Sequence, residues 1–292
     1  NLTTMYSESQ FLKEPTQSGL AHTFGMDFYP ARGWTLGFAA QTGDLLSLVY
    51  NEIERDAISL SGGFNSAKVD WQSKVEWRQD QGGQEREQWV TTNRLMHTVN
   101  DSWRIAARIN YADTKGQIDR FDGGHLLEGN LGFAWRPWNS TRWGVFGRYT
   151  YLYDLATLGQ EGGAQIDQRS QVFSLEGVYK HSQHWEFALK GARRESEVRY
   201  GRDVGPWLDA SANFAAAQIR YELRTQWHAL AEYRWLDVDD GGAKQGVLVG
   251  VDRDLGDHFR LGVGYNFTDF SDDLTDYDYD HQGWFFNATS RF

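Results

Sequence analysis

The sequence predicts an all-β fold: an antiparallel up-and-down barrel of about sixteen strands, with about fourteen as the alternative count. Three observations carry this prediction. Apolar and polar residues alternate with a period of two along most of the chain. A large aromatic residue recurs every few tens of residues, at Trp34, Trp71, Trp103, Trp143, Trp185, Trp227 and Phe259. Each of these aromatics follows a short turn sequence, so the repeating unit is a hairpin.

The strands are read between these turns. Sixteen segments alternate, at roughly 3–12, 20–30, 34–42, 57–65, 67–79, 88–99, 102–114, 124–137, 142–155, 168–181, 184–198, 208–225, 227–238, 244–255, 259–271 and 282–292. In the segment 102–114 the apolar residues from Trp103 to Tyr111 oppose Arg104 and Arg108. A helical period does not compete with this pattern.

The composition suits many strands joined by tight turns. Gly is plentiful at 31 residues and Pro is scarce at 4. Aromatic residues reach 15%, which excludes a disordered chain of this polarity. Cys is absent, so disulfides, thiol nucleophiles and Cys-metal sites are excluded. The net charge of −11 argues against nucleic acid as a partner.

The spacing of the connections indicates a membrane barrel. No run of apolar residues is long enough for a transmembrane helix, but a membrane strand needs only about ten residues of alternating polarity. Short turns alternate with long connections at 43–56, 115–123, 156–167, 199–207 and 272–281. This alternation around an even number of strands is typical of bacterial outer-membrane barrels, whose turns face the periplasm. We therefore expect one integral domain over residues 1–292, surrounded by outer-membrane lipid and lipopolysaccharide, with both chain ends periplasmic.

The recurring aromatics have a physical reason in such a barrel. An indole at the first outward position after a turn places its ring in hydrocarbon and its N–H in the headgroup layer. Aromatics near the other strand ends would form a second belt, namely Tyr111, Trp135, Tyr153 and Trp235. The alternative is a large soluble sandwich whose aromatics face a core, and such a core would not need Trp at the turns.

Charged residues occupy the opposite face, and we expect them to line a hydrated lumen. The inward candidates are Arg104, Arg108, Arg136, Arg148, Arg220, Arg224, Arg234, Arg260, Arg291, Glu128, Glu176 and Glu232. These arginines either brace the wall through ion pairs with carboxylates or select anions, and the sequence leaves both readings open. No segment looks like a plug, and no loop is expected inside the lumen.

No motif for chemistry stands out. Four carboxylates near the end, Asp272, Asp273, Asp276 and Asp278, are weak candidates for a divalent cation, although their spacing does not match an EF-hand loop. A solvated acidic loop is the alternative. The eight His residues form no nucleophile or zinc motif, so we expect neither a cofactor nor an enzyme. A hydrolase with its residues at the barrel rim is the remaining enzymatic alternative.

The ending from Gly264 to Asn287, with the segments 232–237 and 149–154, resembles the carboxy-terminal barrel of very large Gram-negative surface proteins. Those proteins carry immunoglobulin-like repeats or OmpA-like regions upstream. The resemblance covers most of the chain from about Ala57 onward and implies that the chain is the membrane part of something longer. Autotransporter translocators also end in Phe, but they have a lumenal helix that this sequence does not show.

The last segment, Gly283–Phe292, is expected to close the barrel by pairing with the first strand near Met5 to Phe11. Its aromatics resemble the carboxy-terminal signal that barrel-assembly machinery recognises, at Trp284, Phe286 and Phe292. Two functions follow from the sequence. The first is a pore that anchors a larger surface protein and exports it or a polymer. The second is a free-standing diffusion porin, which a long loop folded into the lumen would favour.

Overall fold

The computed structural model describes all residues except 1, 14–16, 48–50, 83–84, 119–120, 156–165, 201–204, 240, 257, 269, 271–273, 275–281 and 291–292. Every regular element in this part of the chain is a β-strand, and all strands belong to one sheet. Among these residues no helix is long and apolar enough to span a membrane.

Seventeen strands follow one another along the described chain. They are β1 (Thr3–Lys13), β2 (Gln17–Phe28), β3 (Trp34–Ser47), β4 (Asn51–Asn65), β5 (Val69–Gly82), β6 (Arg86–Thr98), β7 (Trp103–Ile118), β8 (Phe121–Trp135), β9 (Trp143–Leu155), β10 (Ile166–Lys180), β11 (Trp185–Tyr200), β12 (Leu208–Asp209), β13 (Ala212–Arg224), β14 (Trp227–Val238), β15 (Gly242–Leu255), β16 (Phe259–Asn266) and β17 (Gly283–Ser290). Each strand pairs antiparallel with the next, except that β12 and β13 both pair with β11. The predicted all-β, up-and-down architecture is confirmed.

The predicted strand 208–225 is divided in the structure. Its first part is the two-residue β12, which pairs with Glu197 and Val198, and its second part is β13. Residues 210–211 between them are not paired in the ladder, although the N–H of Ala210 still donates to the carbonyl of Ser196 at 2.8 Å. The two pieces therefore act as one interrupted strand, and the described chain contains sixteen long strands plus β12.

The strands run further than the sequence predicted on the side of the long connections. The expected loop 43–56 is mostly strand, because β3 continues to Ser47 and β4 starts at Asn51. The expected loop 115–123 is likewise reduced to the two residues between β7 and β8. Cross-strand hydrogen bonds continue past the point where one face stops being apolar, so these two predicted loops are wrong. Most of 156–167 and 272–281 lies outside the described residues.

The two outer strands of the sheet are not paired with each other. β1 pairs with β2 and β17 pairs with β16, and the described residues show no ladder between β1 and β17. All residues of β1 are exposed. The expected pairing of the last strand with the first is therefore not present in this structure, whose sheet is curved but open.

Candidate functional site

The connection between β16 and β17 spans residues 267–282, of which the structure describes 267, 268, 270, 274 and 282. These described residues are called the inward loop from here on, and two of them pack on one face of the sheet. These two join a buried cluster with residues of three strands: Phe270 and Leu274 from the loop, with Val172, Phe214 and Leu236. The strand residues belong to β10, β13 and β14. Four strands separate β16 from β10, so the loop reaches Val172 by crossing the concave side of the curved sheet. The face that carries this cluster is therefore the concave one.

Specific contacts hold the inward loop in place. Thr268 is fully buried, and its N–H donates to Oδ1 of Asn266 at 3.0 Å. Thr268 approaches Gly246 so closely that a Cβ added there would lie 2.7 Å from the Thr268 Cβ. The guanidinium of the buried Arg194 donates to the carbonyl of Leu274 at 2.6 Å. The loop is thus fixed at its start by β15 and near its middle by β11.

This loop corrects the expectation that no loop enters the lumen. The sequence placed residues up to 271 in a strand, but β16 ends at Asn266. Phe270 and Leu274 are two apolar residues, four positions apart, in an otherwise acidic stretch. In a fully solvated loop both apolar side chains would stay exposed to water. The pair is therefore the feature of the sequence that indicates a buried loop, and the sequence-based prediction overlooked it.

Directly paired residues of neighbouring strands share a face. The strand register therefore identifies the residues of the concave face on every strand of the sheet. Most of the predicted lumen residues lie on it: Arg104, Arg108, Arg148, Arg220, Arg234, Arg260, Glu128, Glu176 and Glu232. Three others do not belong to this row. Arg136 follows the end of β8, and a register shift after Glu222 pairs Arg224 with Trp227 of the opposite face. Arg291 lies outside the described residues.

The convex face is apolar and exposed. Leu60, Leu189 and Phe286 expose 63%, 66% and 82% of their surface. The predicted interface aromatics all share this face: Trp34, Trp71, Trp103, Trp143, Trp185, Trp227 and Phe259, together with Trp284 and Phe286 of β17. Phe292 lies outside the described residues.

The aromatics near the turns contact one another from strand to strand. Trp143 stacks on Tyr179 at 4.3 Å between ring centroids, and Trp185 stacks on Tyr221 at 4.4 Å. Trp103 pairs with Trp135, with centroids 6.2 Å apart. Because β8 runs toward the turn side, Trp135 belongs to this first belt, and its assignment to the second belt was wrong. Trp135 is far along the sequence from the turn that precedes Trp103, and this distance had suggested that it lies at the other end of the barrel.

Ion pairs tie neighbouring strands together on the concave face. The clearest is at Asp80, which is 3% exposed and lies between two arginines. Arg55 donates to both of its oxygens, at 2.7 and 3.0 Å, and Nε of Arg86 donates at 2.9 Å. Burial alone would raise the pKa of Asp80, but the hydrogen bond from Arg55 and the charge of Arg86 outweigh burial and lower this pKa. The pair lies beyond the apolar band, because the outward residue next to Arg55 is Asp56.

Other carboxylates on this face repeat the arrangement. Three of them meet at least one cation: Glu76 with Lys74 and Arg78, Glu232 with Arg234, and Asp254 with Arg260 and His228. Arg220 lies between Glu186 and Asp252, at 3.8 and 3.5 Å. The Asp80 pairs connect β4 to β6, and the contacts of Arg220 and Asp254 connect strands from β11 to β16. The Glu76 and Glu232 pairs lie within β5 and β14.

We expect Asp80→Asn to lower the free energy of unfolding by about 2 kcal/mol at pH 7, because two partly buried guanidinium groups lose their counter-charge. The lowered pKa means that the contribution of Asp80 is present above its unfolded pKa of 3.8 and is lost as the pH falls through the folded value. The difference between the two proteins should therefore shrink below about pH 4. Urea unfolding in lipid vesicles at pH 7 and pH 3 measures it.

The matched control is Glu195→Gln. Glu195 pairs with Arg193 at 3.0 Å, but both side chains are about 60% exposed. An exposed pair contributes little, so this variant should change stability by less than about 0.5 kcal/mol. An equal effect of the two variants, or an Asp80→Asn effect that persists at pH 3, would contradict the stabilising role assigned to ionised Asp80.

Groups suited to chemistry are few in the described part of the chain. Oγ of Ser9 lies 2.9 Å from Nδ1 of His22 on the convex face, but the structure records no partner for Nε2 of His22 among these residues. The pair thus lacks the third group that orients a catalytic base. No cluster of three or more metal-ligating side chains occurs among the described residues. The weak cation candidates Asp272, Asp273, Asp276 and Asp278 lie outside them.

Comparison with known proteins bears on the fold. No family model matches the chain, and no curated protein sequence matches it. Solved structures do match. The chain is similar to the ferric citrate transporter FecA in the unliganded form, with a TM-score of 0.53 and 9% identity over 90% of this chain and 50% of that one.

Two further structures are similar at the same level. The alcaligin outer-membrane receptor FauA from Bordetella pertussis has a TM-score of 0.51 and 9% identity over 99% of this chain and 61% of that one. BauA, the ferric preacinetobactin receptor from Acinetobacter baumannii, has a TM-score of 0.51 and 12% identity over 90% and 53%. The chain thus spans between 50% and 61% of the length of the three structures. At these identities the likeness shows the fold alone, and that fold is the outer-membrane β-barrel.

Proposed function

We propose that the chain forms a hydrated pore across the bacterial outer membrane, narrowed by the inward loop, through which small solutes pass. The observation that carries this proposal is the two-faced sheet. Its convex face exposes a continuous apolar surface, which on a soluble protein would be an aggregation liability. Its concave face carries the paired charges. Lipid outside solvates the apolar convex face, and water inside solvates the charged concave face.

The length of the apolar band supports a membrane position. On β7 the convex residues are apolar from Trp103 to Tyr111, and the next one is Asp113. Nine residues of tilted strand are about what a bilayer core requires. The remaining residues of β7 extend beyond it on the loop side.

The orientation follows from the two kinds of connection. β1 begins and β17 ends on the side of the short turns, since Thr3 pairs with Phe28 and Ser290 pairs with Phe259. We propose that this side is periplasmic and that the strand extensions face outside, where they meet lipopolysaccharide. The apolar end of the chain would serve barrel-assembly machinery as a recognition signal.

The inward loop favours small solutes over a polymer. Phe270 and Leu274 occupy space on the concave side, so less of the lumen remains for a folded passenger or a thick polymer. Anchoring of a larger surface protein stays a second candidate, supported by the resemblance of the segment 264–287 to such barrels. Both functions use the same membrane wall, and neither requires catalysis by this chain.

We expect the refolded chain to give steady, ohmic conductance steps in planar bilayers, because a wall of this size encloses water unless it is filled. The measurement uses protein whose heated and unheated samples migrate differently on a gel, which shows that the barrel is folded. Folded protein that inserts but carries no current would overturn the pore and leave the anchor.

A further inference from the structure

We infer that Arg94 and Arg108, assisted by Arg104, form an oxyanion-binding site on the concave wall. The inference rests on the proposed pore, since the wall would then line the path of the solute. It names the class of solute that the wall retains: one that carries a carboxylate or phosphate group.

The geometry of the arginine pair is unusual. Arg94 of β6 and Arg108 of β7 are directly paired in the ladder, on the same face of neighbouring strands. Side chains in this position lie about 5 Å apart at their Cβ atoms, and like charges so placed destabilise a sheet. An anion between or beside the two guanidinium groups would offset this repulsion.

The described residues supply little negative charge beside these two arginines. Asp70 accepts one hydrogen bond from Arg94 at 2.8 Å, with 51% of the Arg94 side chain exposed. The hydrogen bond that Arg108 makes, at 3.4 Å, goes to the neutral amide oxygen of Asn110. Glu128 is the next carboxylate, but it accepts from the amides of Asn110 and Asn130. The positive charges of Arg94 and Arg108 are therefore only partly balanced by nearby carboxylates.

Arg104 lies on the same face of β7 as Arg108, four residues before it and so about 13 Å away along the strand, with Ala106 between them. It is exposed, it lies on the concave face, and it pairs with Thr98 and Ala134. Within the described part of the chain the structure records no hydrogen bond or ion pair for its guanidinium. Arginines of the wall braces behave differently: Arg234 and Arg260 are only 12% and 16% exposed, and each meets a carboxylate.

The pair borders a cavity of about 640 Å³ on the inner wall of β3 to β7. That volume is in the range of small-molecule sites. Among its described lining residues Asp70 is the only acidic one, and neutral donors surround the arginines: Gln72, Thr92 and Asn110. Guanidinium forks match carboxylate and phosphate oxygens in a bidentate way, and the neutral groups can bond further oxygens of the same solute.

The first test is ion selectivity in a potassium chloride gradient across a planar bilayer. We expect the wild-type pore to prefer chloride, and we expect Arg94→Gln with Arg108→Gln to reduce the chloride-to-potassium permeability ratio about twofold or more. Arg193→Gln is the control. It removes one positive charge from the convex face, where Arg193 is 62% exposed, and should leave the ratio unchanged.

The second test uses inorganic phosphate and acetate as probes that reduce the small-ion current. Both should bind, phosphate more tightly, and Arg94→Gln with Arg108→Gln should weaken the block at least about tenfold, because two charge-assisted contacts are lost. Arg94→Lys with Arg108→Lys keeps the charge but not the fork. This variant should retain the chloride preference and lose most of the phosphate block.

The outcomes separate the site from the pore. Conductance with wild-type selectivity and block in the Gln variant overturns the site and leaves the pore. If the folded protein carries no current, the pore fails, and titration calorimetry of phosphate against folded protein in detergent decides the site: binding lost in the Gln variant supports it, and no binding by the wild type overturns it.

Discussion

Replacing Phe270 and Leu274 together by serine is expected to raise the single-channel conductance about twofold or more, because the inward loop then loses the apolar contacts that hold it across the lumen. In the wild type both side chains are buried against Val172, Phe214 and Leu236. Serine has no large apolar side chain to bury at these two positions. The loop should therefore leave the strands and become solvated. Conductance steps in planar bilayers measure the change directly.

The matched control is Phe267→Ala. Phe267 belongs to the same loop, but it is 53% exposed and stacks on Tyr265 at 4.5 Å on the convex side. Losing it should leave the conductance as it is. A second arm, Arg194→Met, removes the donor to the Leu274 carbonyl and should change conductance in the same direction as the double serine variant. Unchanged conductance in both would mean that the loop does not restrict the path.

The sequence predicted the strands and their faces well because a lipid-facing sheet repeats one simple rule. Within the apolar band, outward positions meet hydrocarbon and inward positions meet water, so alternation is visible in each strand separately. Trp103 and Trp143 mark the turn side for the same local reason. Fold class and element order therefore followed from patterns of about ten residues.

The features that the sequence did not predict depend on contacts between distant parts. The extensions of β3 to Ser47 and of β7 to Ile118 run beyond the apolar band, so no amphipathic pattern marks where they end. The shift that removes Arg224 from the inward row adds one residue near a turn, and parity counting cannot detect it. The position of the inward loop depends on the carbonyl of Leu274, which accepts a hydrogen bond from Arg194, 80 residues away.

We expect β1 and β17 to pair when the chain is in a bilayer. An unpaired strand edge in hydrocarbon leaves a row of N–H and C=O groups without partners, at several kcal/mol for each group. Apart from the interrupted strand β12–β13, the described sheet is a series of sixteen antiparallel strands, so its first and last strands run in opposite directions, as closure requires. Both edges also have apolar convex residues, Met5 and Phe286, at 77% and 82% exposure.

Cysteine cross-linking tests this closure, and the chain offers a clean background because it has no native cysteine. Single cysteines at Met5, Ser7 and Ser9 are combined with single cysteines at Trp284, Phe286 and Ala288. Neighbouring antiparallel strands place paired Cα atoms about 4.5–5.5 Å apart, within the reach of a disulfide. Only combinations of one register should cross-link: two steps forward on β1 must match two steps back on β17.

Two controls fix the meaning of the result. Cysteines at Met5 and Met26, which are paired in the structure, should cross-link in full. A cysteine at Tyr6, which shares its strand but faces the concave side, should not link to position 286. Cross-links that join two different chains would show that the free edges pair between copies, and no cross-link at any combination would show that the sheet stays open in the membrane. A single register within one chain makes the wall continuous. A continuous inner wall brings solutes past the arginine pair at 94 and 108, which can then select among them.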